Sequence, residues 1–441
     1  MDMKKSETTM YVEIMAQQLG VSEDVVRKRL DHARKEFHIP LKYYANHRLY
    51  LTDGDETLKM HAKRLQDERE KITTRLAQTT GWTLKEAQDY LLHITTTFHI
   101  TGKEVMDSLL YEKTDEEIAQ WKEDKKARAQ ARIERIREKT GWSEYEVRKH
   151  MAKCKVVFGI AMANYENTLC YSLTDEELAT YANLEDSRRL GEKYITADTD
   201  VLKNKQLFNE TYREFLGRDF WVNRDSDYAS FKRFLGFKRE VFCKPVDLFG
   251  AHGVYKKSVS FFKKRELYDF LMKEPKMLVE EVIKQHPAMS AFYEGSINTV
   301  RVFTILKDDR FDAFAAFVRF GVGGIADNVS AGGIACGVDP ANGTIITPAV
   351  GNDGVLHRVH PMTGVAFEGF QIPYWQEILT LTEKALRKVE GVNYVGWDVA
   401  LTKRGPILVE GNNVPCLSIY QSLFAYRKEG RKYTYAKYLE E

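Results

Sequence analysis

Apolar and polar positions follow two different patterns along this chain. Through residues 1–190 the apolar side chains recur at helical spacing among many charged ones, whereas residues 195–425 contain most of the glycines and short β-branched runs. Apolar positions three or four residues apart predict amphipathic helices, and β-branched runs bounded by turn residues predict strands. We therefore expect an all-α first part and a second part that contains β-sheets.

The helical first part contains one pattern three times. Gly20, Gly81 and Gly141 recur at intervals of 61 and 60 residues, and each is followed two positions later by a Ser or Thr that can cap a helix. The apolar and capping residues that recur with them are Ser22, Thr83 and Ser143, then Phe37, Phe98 and Phe158, then Ile39, Ile100 and Ile160, then Tyr50, Tyr111 and Tyr171. A fixed period with fixed apolar anchors indicates tandem helical modules.

The pattern predicts three repeats of about 60 residues, at about residues 10–70, 71–130 and 131–190. The segments that connect them are heavily charged, as in KKARAQARIERIREK at residues 125–139. A solvated connecting helix is the preferred interpretation, and a basic face for a phosphorylated or acidic partner is the alternative. We expect the repeats to position the second part on an acceptor or a partner protein, or to act as a structural spacer.

Three oxygen-bearing side chains lie in the segment VGWDVALTKRGPILVEGNN, residues 395–413. Two short strands joined by a tight turn put Asp398 on one strand and Glu410 and Asn412 on the other, and residues two apart on a strand share a face. Hard cations such as Mg2+ bind carboxylate and amide oxygens and take further ligands from water and phosphates. An ordinary hairpin with surface acids is the simpler interpretation unless a phosphate-binding segment lies nearby.

Such a segment is VFCKPVDLFGAHGVYK, residues 241–256. Lys244 ends a predicted strand, and Gly250 and Gly253 fall in the loop before the next strand. A lysine ammonium neutralises phosphate oxygens, and glycines let backbone N–H groups approach them closely. A plain β-hairpin would also explain the pattern, and no G-K-[ST] follows that would make it a Walker A loop.

Together these segments resemble the ATP-grasp superfamily, and more narrowly its sugar-transfer-associated branch, over about residues 195–425. The resemblance implies an α+β catalytic half in which two α/β subdomains, residues 191–285 and 286–441, clamp ATP. It also implies that an Asp on one strand and an E-x-N on the next hold Mg2+, with two ions expected, against the phosphates. These are the roles that it assigns to Asp398, Glu410 and Asn412.

The resemblance extends to the residues that hold the nucleotide. It implies that Lys244 reaches the α- and β-phosphates and that the loop with Gly250 and Gly253 covers the γ-phosphate. The segment VLKNKQLFNETYREFLG resembles the part of the family that carries a first nucleotide lysine, for which Lys205 is the candidate and Lys203 the alternative.

The segment LVEEVIKQH matches the hinge that recognises the adenine in that superfamily. Glu280, Glu281 and Ile283 correspond to the adenine stretch, and Gln285 or His286 to the ribose contact. Only one of two neighbouring residues on a strand can face the cleft, so the choice between Glu280 and Glu281 stays open.

The segments SINTVRVFTIL and VRFGVGGIADNVSAGG carry an N-T-x-R pattern followed by R-F-G, D-N and G-G that also resembles this branch. Arginine binds carboxylate or phosphate as a bidentate fork, so we expect Arg301 and Arg319 to hold anions near the transferred phosphoryl group. The segment HPMTGVAFEGFQIPYW resembles a family loop over the acceptor side. The candidate substrate contacts are Asn298, Asn328, Gly332, Gly333 and His360.

Composition narrows the classes of function. The chain has 66 Lys and Arg against 64 Asp and Glu, a net charge of +2, which argues against a dedicated nucleic-acid binder. No apolar run reaches the roughly 18 residues of a membrane span, and the N-terminus lacks the apolar core of a signal peptide. The five cysteines are scattered without a C-x-x-C pair, which fits reduced thiols. We therefore expect a cytoplasmic protein.

The resemblance implies an ATP- and Mg2+-dependent ligase that activates a carboxylate as an acyl phosphate for attack by an amine. Small molecules, peptides or sugars are the expected substrates, in polysaccharide or peptide tailoring. Lys244, Arg301 and Arg319 are the expected catalytic residues, acting by positioning and charge stabilisation. The alternative is a kinase that phosphorylates a sugar or another hydroxyl, and a second alternative is a binding module without turnover.

Overall fold

The computed structural model describes residues 7–52, 54–162, 164–224, 227–246, 253–260 and 263–440. The chain divides into two compact units, residues 1–162 and 163–441. The described part of the first unit contains helices and turns, and the described strands all lie in the second unit. The prediction of a helical first part and a second part with β-sheets is confirmed.

The first unit contains eight α-helices among its described residues. They are α1 Glu7–Leu19, α2 Glu23–Phe37, α3 Leu41–Asn46, α4 Asp55–Thr80, α5 Leu84–Phe98, α6 Gly102–Asp107, α7 Asp115–Thr140 and α8 Glu144–Phe158. Short 3-10 turns at Leu49–Leu51 and Leu110–Glu112 precede α4 and α7, which have 26 residues each.

The helices expected after the three repeated Ser or Thr residues are present as α2, α5 and α8, of 15 residues each. Thr83 and Ser143 form capping boxes, in which the side-chain oxygen accepts a hydrogen bond from the third helical N–H and the Glu carboxylate accepts one from the N–H of the capping residue. Ser22 occupies the same place without a side-chain cap bond. The corresponding last helix of the third copy, α9 Asp175–Ala179, has 5 residues and lies in the second unit. The count of three repeats therefore stays a prediction.

Residues of the first and third predicted repeats meet inside the first unit. Helix α8 packs Ala152 and Val156 into the same core as Val12 and Met15 of α1. The Tyr50 hydroxyl donates to the Val156 carbonyl at 3.4 Å, which adds a polar contact to this core.

Every helix in the described ranges is too short or too polar to cross a membrane.

The second unit contains ten α-helices and eleven strands among its described residues. The helices are α9 Asp175–Ala179, α10 Leu184–Tyr194, α11 Asp200–Lys203, α12 Lys205–Thr211, α13 Tyr228–Leu235, α14 Lys264–Leu271, α15 Pro287–Ser290, α16 Trp375–Leu386, α17 Leu417–Ser422 and α18 Ala436–Leu439. The strands are β1 Phe220–Val222, β2 Glu240–Pro245, β3 Tyr255–Ser258, β4 Met277–Glu281, β5 Thr299–Lys307, β6 Arg310–Phe320, β7 Ile334–Val338, β8 Ala349–Val350, β9 Leu356–His357, β10 Tyr394–Thr402 and β11 Gly405–Asn413.

These strands form two antiparallel sheets. The smaller sheet has the order β1-β4-β2-β3, and the larger has the order β11-β10-β5-β6-β7-β8-β9. Both faces of the larger sheet carry buried apolar side chains. Val302 and Trp397 belong to the core that α12 and α16 cover, whereas Phe303 and Tyr394 belong to the core that α10, α17 and α18 cover.

Helix α10 belongs to the second unit rather than to the helical first part. Leu190 and Tyr194 are buried in the core on the larger sheet, and the Tyr435 hydroxyl donates to Asp186 at 2.9 Å. The division between the units therefore falls before residue 163, whereas the predicted boundary lies after residue 190. The polar sequence of this stretch concealed an amphipathic helix that buries one face against the sheet.

Candidate functional site

A cavity of about 590 Å³ opens between the two sheets of the second unit and is lined by residues from both. Among the described residues, eight Lys and Arg side chains and six carboxylates line it. An excess of cations over carboxylates in a partly enclosed site favours an anionic ligand. The cavity contains the charged residues that the sequence pattern indicated on both sheets.

Glu280 on β4 is the centre of the charged group on the smaller sheet. Its Oε1 accepts hydrogen bonds from Asn209 Nδ2 at 2.7 Å, Arg218 Nη2 at 2.8 Å and Arg218 Nε at 3.1 Å. Its Oε2 lies 2.7 Å from Lys244 Nζ. Burial raises the pKa of Glu280, but the charges of Arg218 and Lys244 outweigh burial and lower it to about 2.

The two neighbouring carboxylates of β4 face different surroundings, as strand geometry requires. The Glu280 side chain is 5% exposed and points to Lys244 on β2. The Glu281 side chain is 43% exposed and lies 3.9 Å from Lys238. Both line the cavity, but Glu280 lies in its interior and Glu281 at its rim.

A row of side chains crosses the larger sheet on the face that lines the cavity. Asp398 of β10 lies directly opposite Glu410 of β11 on one side and Arg301 of β5 on the other. Thr299 of β5 and Arg319 of β6 are in contact beside them, with Arg319 Nη2 donating to Thr299 Oγ1 at 2.7 Å. The five residues therefore share one face because strand register, not loop conformation, aligns them.

The pairing of Asp398 with Glu410 depends on a β-bulge. From the turn, Thr402 pairs with Gly405 and Val399 with Leu408, but Asp398 pairs with Glu410, so Val409 has no partner. Without this extra residue Asp398 would pair with Val409, and the Glu410 side chain would point to the opposite, apolar face. The tight hairpin that we expected would by itself have separated the two carboxylates.

Asp398 is buried and held by two arginines. Arg301 donates to both of its carboxylate oxygens, with Nη2 at 2.8 Å from Oδ2, and Arg319 Nη2 lies 2.9 Å from the same oxygen. Burial raises the pKa of Asp398, but these two guanidinium groups outweigh burial and hold it below its ordinary range. Asp398 is therefore ionised at neutral pH.

Glu410 has the opposite balance. Burial raises the pKa of its carboxyl group, and the negative charge of Asp398 raises it further. Asn412 Nδ2 lies 3.4 Å from Glu410 Oε1, which keeps the amide beside the carboxylates. The three predicted ligands thus gather on one face.

These side chains fit a divalent cation. Two carboxylates and one amide offer hard oxygen atoms, and a cation beside Asp398 and Glu410 would remove the repulsion that raises the Glu410 pKa. Among the described residues, no group of three or more His, Cys, Asp or Glu side chains lies close enough together to hold a metal ion. Any site here would therefore depend on the Asn412 amide and on oxygens from water or substrate.

The structure brings most of the predicted nucleotide residues to the cavity. The predicted residues that line it are Lys205, Lys244, Glu280, Glu281, Ile283, Arg301, Arg319, Asn328, Asp398, Glu410 and Asn412. Gly253 is described, with a left-handed φ of 68°, but does not line the cavity. Gly250 lies outside the described residues.

Other predicted residues serve the local backbone and do not line the cavity. His286 caps α15, with Nδ1 accepting from the Ala288 N–H at 3.2 Å. Asn298 is buried, and its side chain bonds Gln285 and the Met289 and Tyr293 carbonyls. Gly332 and Gly333 follow the 3-10 turn Val329–Ala331 outside the cavity wall.

His360 is also buried away from the cavity. Its Nδ1 accepts from the Met362 N–H at 3.3 Å, so its Nε2–H donates to the Gly321 carbonyl at 3.0 Å. Burial lowers its pKa, which favours the neutral ring. Packing against Tyr293, at 6.1 Å between ring centroids, explains its position. His360 does not line the cavity, and its contact with substrate stays a prediction.

Asn209, Arg218 and Thr299 are among the polar cavity residues that were not anticipated from the sequence. Asn209 lies in the segment expected to carry a nucleotide lysine, Arg218 follows that segment directly, and both bind Glu280. Thr299 accepts from Arg319 Nη2 at 2.7 Å, and its backbone N–H donates to Asp327 at 2.9 Å. Thr299 belongs to the N-T-x-R pattern, and its two-residue spacing from Arg301 was the signal that could have identified it.

Residues 253–426 match the model of the family described as sugar-transfer associated ATP-grasp. The matched range contains Arg301, Arg319, Asp398, Glu410 and Asn412. None of the curated proteins matches the chain.

Several solved structures share a partial likeness with the chain. An L-amino acid ligase from Bacillus licheniformis is 10% identical, with 48% of this chain and 41% of that one covered and a TM-score of 0.30. D-alanyl-alanine synthetase A from Vibrio cholerae is 12% identical, with 54% and 64% covered and a TM-score of 0.35. The ATP-grasp ligase PsnB complexed with its minimal precursor, Mg and ADP is 12% identical, with 54% and 62% covered and a TM-score of 0.30. The chain spans less than two thirds of the length of each.

Proposed function

We propose that the chain is an ATP-dependent ligase that joins a carboxylate to an amine, because residues 253–426 match the sugar-transfer associated ATP-grasp family model. The observation that carries the proposal is the row of Glu410, Asp398 and Arg301 across one sheet face, opposite Lys244 and Glu280 on the other sheet. Such a site offers metal ligands and phosphate-binding cations on facing walls of one cavity.

The proposed reaction has two steps. A carboxylate oxygen of the acid substrate attacks the γ-phosphorus of ATP, the bond to the bridging oxygen breaks, and ADP leaves with both bonding electrons. The amine nitrogen then attacks the acyl carbon, phosphate leaves, and the nitrogen loses a proton to give the amide. When bound by Asp398, Glu410 and Asn412, Mg2+ would supply positive charge to the phosphate oxygens.

The protein residues act by holding charge in place. Lys244 is fixed by Glu280 and directs its ammonium into the cavity, where it would neutralise phosphate oxygens. Arg301 and Arg319 lie beside Asp398, so their guanidinium groups are aligned before substrate binds. Alignment before binding lowers the cost of ordering these groups in the transition state.

The test is a product analysis with ATP, Mg2+ and a panel of amino acids, sugars, uronic acids and peptides. We expect equal amounts of ADP and free phosphate together with an amide detected by mass spectrometry. ADP with a stable phosphorylated hydroxyl and no free phosphate would replace the ligase with a kinase. Absence of ADP formation with every substrate would contradict both.

A pair of variants connects the products to the site. Glu410→Gln removes a carboxylate from the metal side and should lower turnover about a hundredfold or more, because changes to residues behind metal ligands already cost about 10- to 100-fold. Glu383→Gln, on the exposed face of α16 and paired with Arg387, is the control and should retain full turnover.

A further inference from the structure

The direction of the Glu410 side chain depends on the unpaired residue Val409, so whatever holds this bulge also holds Glu410. A bulge leaves backbone carbonyl groups without their regular partners in the ladder, and these groups need other donors when they are buried. The candidates are therefore the donors that reach the carbonyls just before Glu410.

Arg218 supplies these donors. Its Nη1 donates to the Leu408 carbonyl at 2.6 Å, and its Nη2 lies 3.4 Å from the Val409 carbonyl. The Arg218 side chain is 2% exposed, and Arg218 lies in the loop that leads to β1. One guanidinium thus covers the backbone on both sides of the bulge.

The same guanidinium is fixed from the other sheet. Its Nε and Nη2 donate to Glu280 Oε1 at 3.1 and 2.8 Å, and Glu280 in turn binds Lys244. Arg218 therefore connects the lysine and glutamate of the smaller sheet to the backbone that carries Glu410 on β11. The planar fork of arginine can serve both sides at once, whereas a lysine ammonium on a flexible stem cannot.

We propose that Arg218 is a positioning residue that holds the bulge at Val409 and thereby keeps the Glu410 carboxylate beside Asp398, ready to receive a divalent cation. The inference rests on the proposed function, because it assumes that Glu410 is a metal ligand. Arg218 is not assigned a contact with the metal, and it acts through the backbone of β11.

The test compares Mn2+ binding, measured by electron paramagnetic resonance in the presence of ADP, for the wild type and Arg218→Lys. We expect the affinity for Mn2+ to fall about tenfold, as it does when residues behind metal ligands are changed. The affinity for ADP at saturating Mn2+ should stay near the wild-type value. Arg213→Lys is the matched control, because Arg213 packs on the Phe220 ring and does not line the cavity.

A second variant, Val409→Gly, tests whether the bulge itself, rather than the stability of the whole fold, controls Mn2+ binding. Val409→Gly makes the same backbone more flexible and leaves the Arg218 side chain unchanged. It should also weaken Mn2+ binding. If Arg218 acts through the bulge, the double variant should bind Mn2+ about as weakly as the weaker single variant, because the two changes affect one element. Effects that multiply independently would contradict the inference, and Val409→Gly supplies the comparison with wild type if Arg218→Lys does not fold.

The outcomes distinguish the two proposals. If the wild type binds no Mn2+ with ADP, the proposed function fails and this inference fails with it. If the wild type binds Mn2+ and Arg218→Lys binds it equally well, only the inference fails. If Arg218→Lys lowers the affinity for ADP and leaves the affinity for Mn2+ unchanged, Arg218 serves nucleotide binding alone and the inference is overturned.

Discussion

The carboxylates in the cavity differ in how their charge is balanced. Glu280 is surrounded by donors and cations, and its pKa falls to about 2. Glu410 is buried beside another carboxylate, and its pKa is raised. The first arrangement stabilises the folded protein, whereas the second costs stability that a bound cation would restore.

Glu280→Gln should destabilise the protein by about 3 kcal/mol at neutral pH, since it leaves Arg218 and Lys244 buried without a counter-charge. The folded pKa of Glu280 is lowered, so its contribution is present above the unfolded pKa near 4.5 and is lost as the pH falls towards about 2. Urea unfolding at several pH values should therefore show the difference from wild type shrinking across that window.

The control for Glu280→Gln is its neighbour on the strand. Glu281→Gln changes a side chain that is 43% exposed and should cost less than about 1 kcal/mol. Equal losses for the two variants would contradict the interior position assigned to Glu280.

Glu410→Gln should have the opposite effect on the protein without ligands. The raised folded pKa means that the ionised Glu410 is unfavourable at neutral pH and that this cost disappears as the pH falls below the unfolded pKa near 4.5. We expect a Tm at neutral pH equal to or above that of the wild type, measured by calorimetry. Mg2+ and ADP together should raise the Tm of the wild type but not that of the variant. A variant whose Tm still rises with Mg2+ and ADP would show that Glu410 does not belong to the metal site.

At the residue scale, the sequence showed which side chains could bind a metal ion, but not which side chains contact each other. Asp398, Glu410 and Asn412 form a motif whose spacing is visible in the sequence. Arg218 and Glu280 meet only because a loop and a strand separated by 62 residues converge, and no local pattern records such a contact.

At the scale of single elements, helix starts were the most predictable features. A Ser or Thr followed three residues later by Glu specifies a helix start through local hydrogen bonds alone, as at Thr83 and Ser143. The bulge in β11 was not predictable, because Val409 resembles any other strand residue and its lack of a partner follows from contacts with Arg218 and β10.

The repeated helix starts offer an internal comparison. Thr83→Ala removes a capping box and should cost about 1 kcal/mol, whereas Ser22→Ala, at the matching position without a side-chain bond, should cost only a few tenths. Chemical denaturation followed by far-ultraviolet circular dichroism would measure both. Equal losses would show that the capping bond contributes nothing at Thr83.

At the scale of the whole molecule, the change from helical to β-rich sequence was correctly predicted, but its boundary was not located. The reason is that α10 has the polar composition of the helical part and the contacts of the sheet. Leu190 is fully buried in the core of the second unit, and its burial depends on strands more than a hundred residues later.

Two fragments test where the second unit begins. We expect residues 163–441 to unfold cooperatively and to retain binding of ADP with Mn2+. A fragment of residues 191–441 lacks Leu190 and the bond from Tyr435 to Asp186, and it should lose about 3 kcal/mol or more through the exposed core and the buried unpaired hydroxyl. Equal stability of the two fragments, measured by urea unfolding, would support the boundary after residue 190.

The unpaired residue in β11 also limits how the hairpin could change in length. One residue inserted or deleted between the turn and Glu410 would reverse the alternation of sides and send the carboxylate into the apolar layer, whereas two would restore it. Length variation in this arm should therefore occur in even steps, or in odd steps only where a compensating irregularity appears or disappears. Descendants of this sequence would then have to preserve an odd or even number of residues between the turn and Glu410, whatever those residues are.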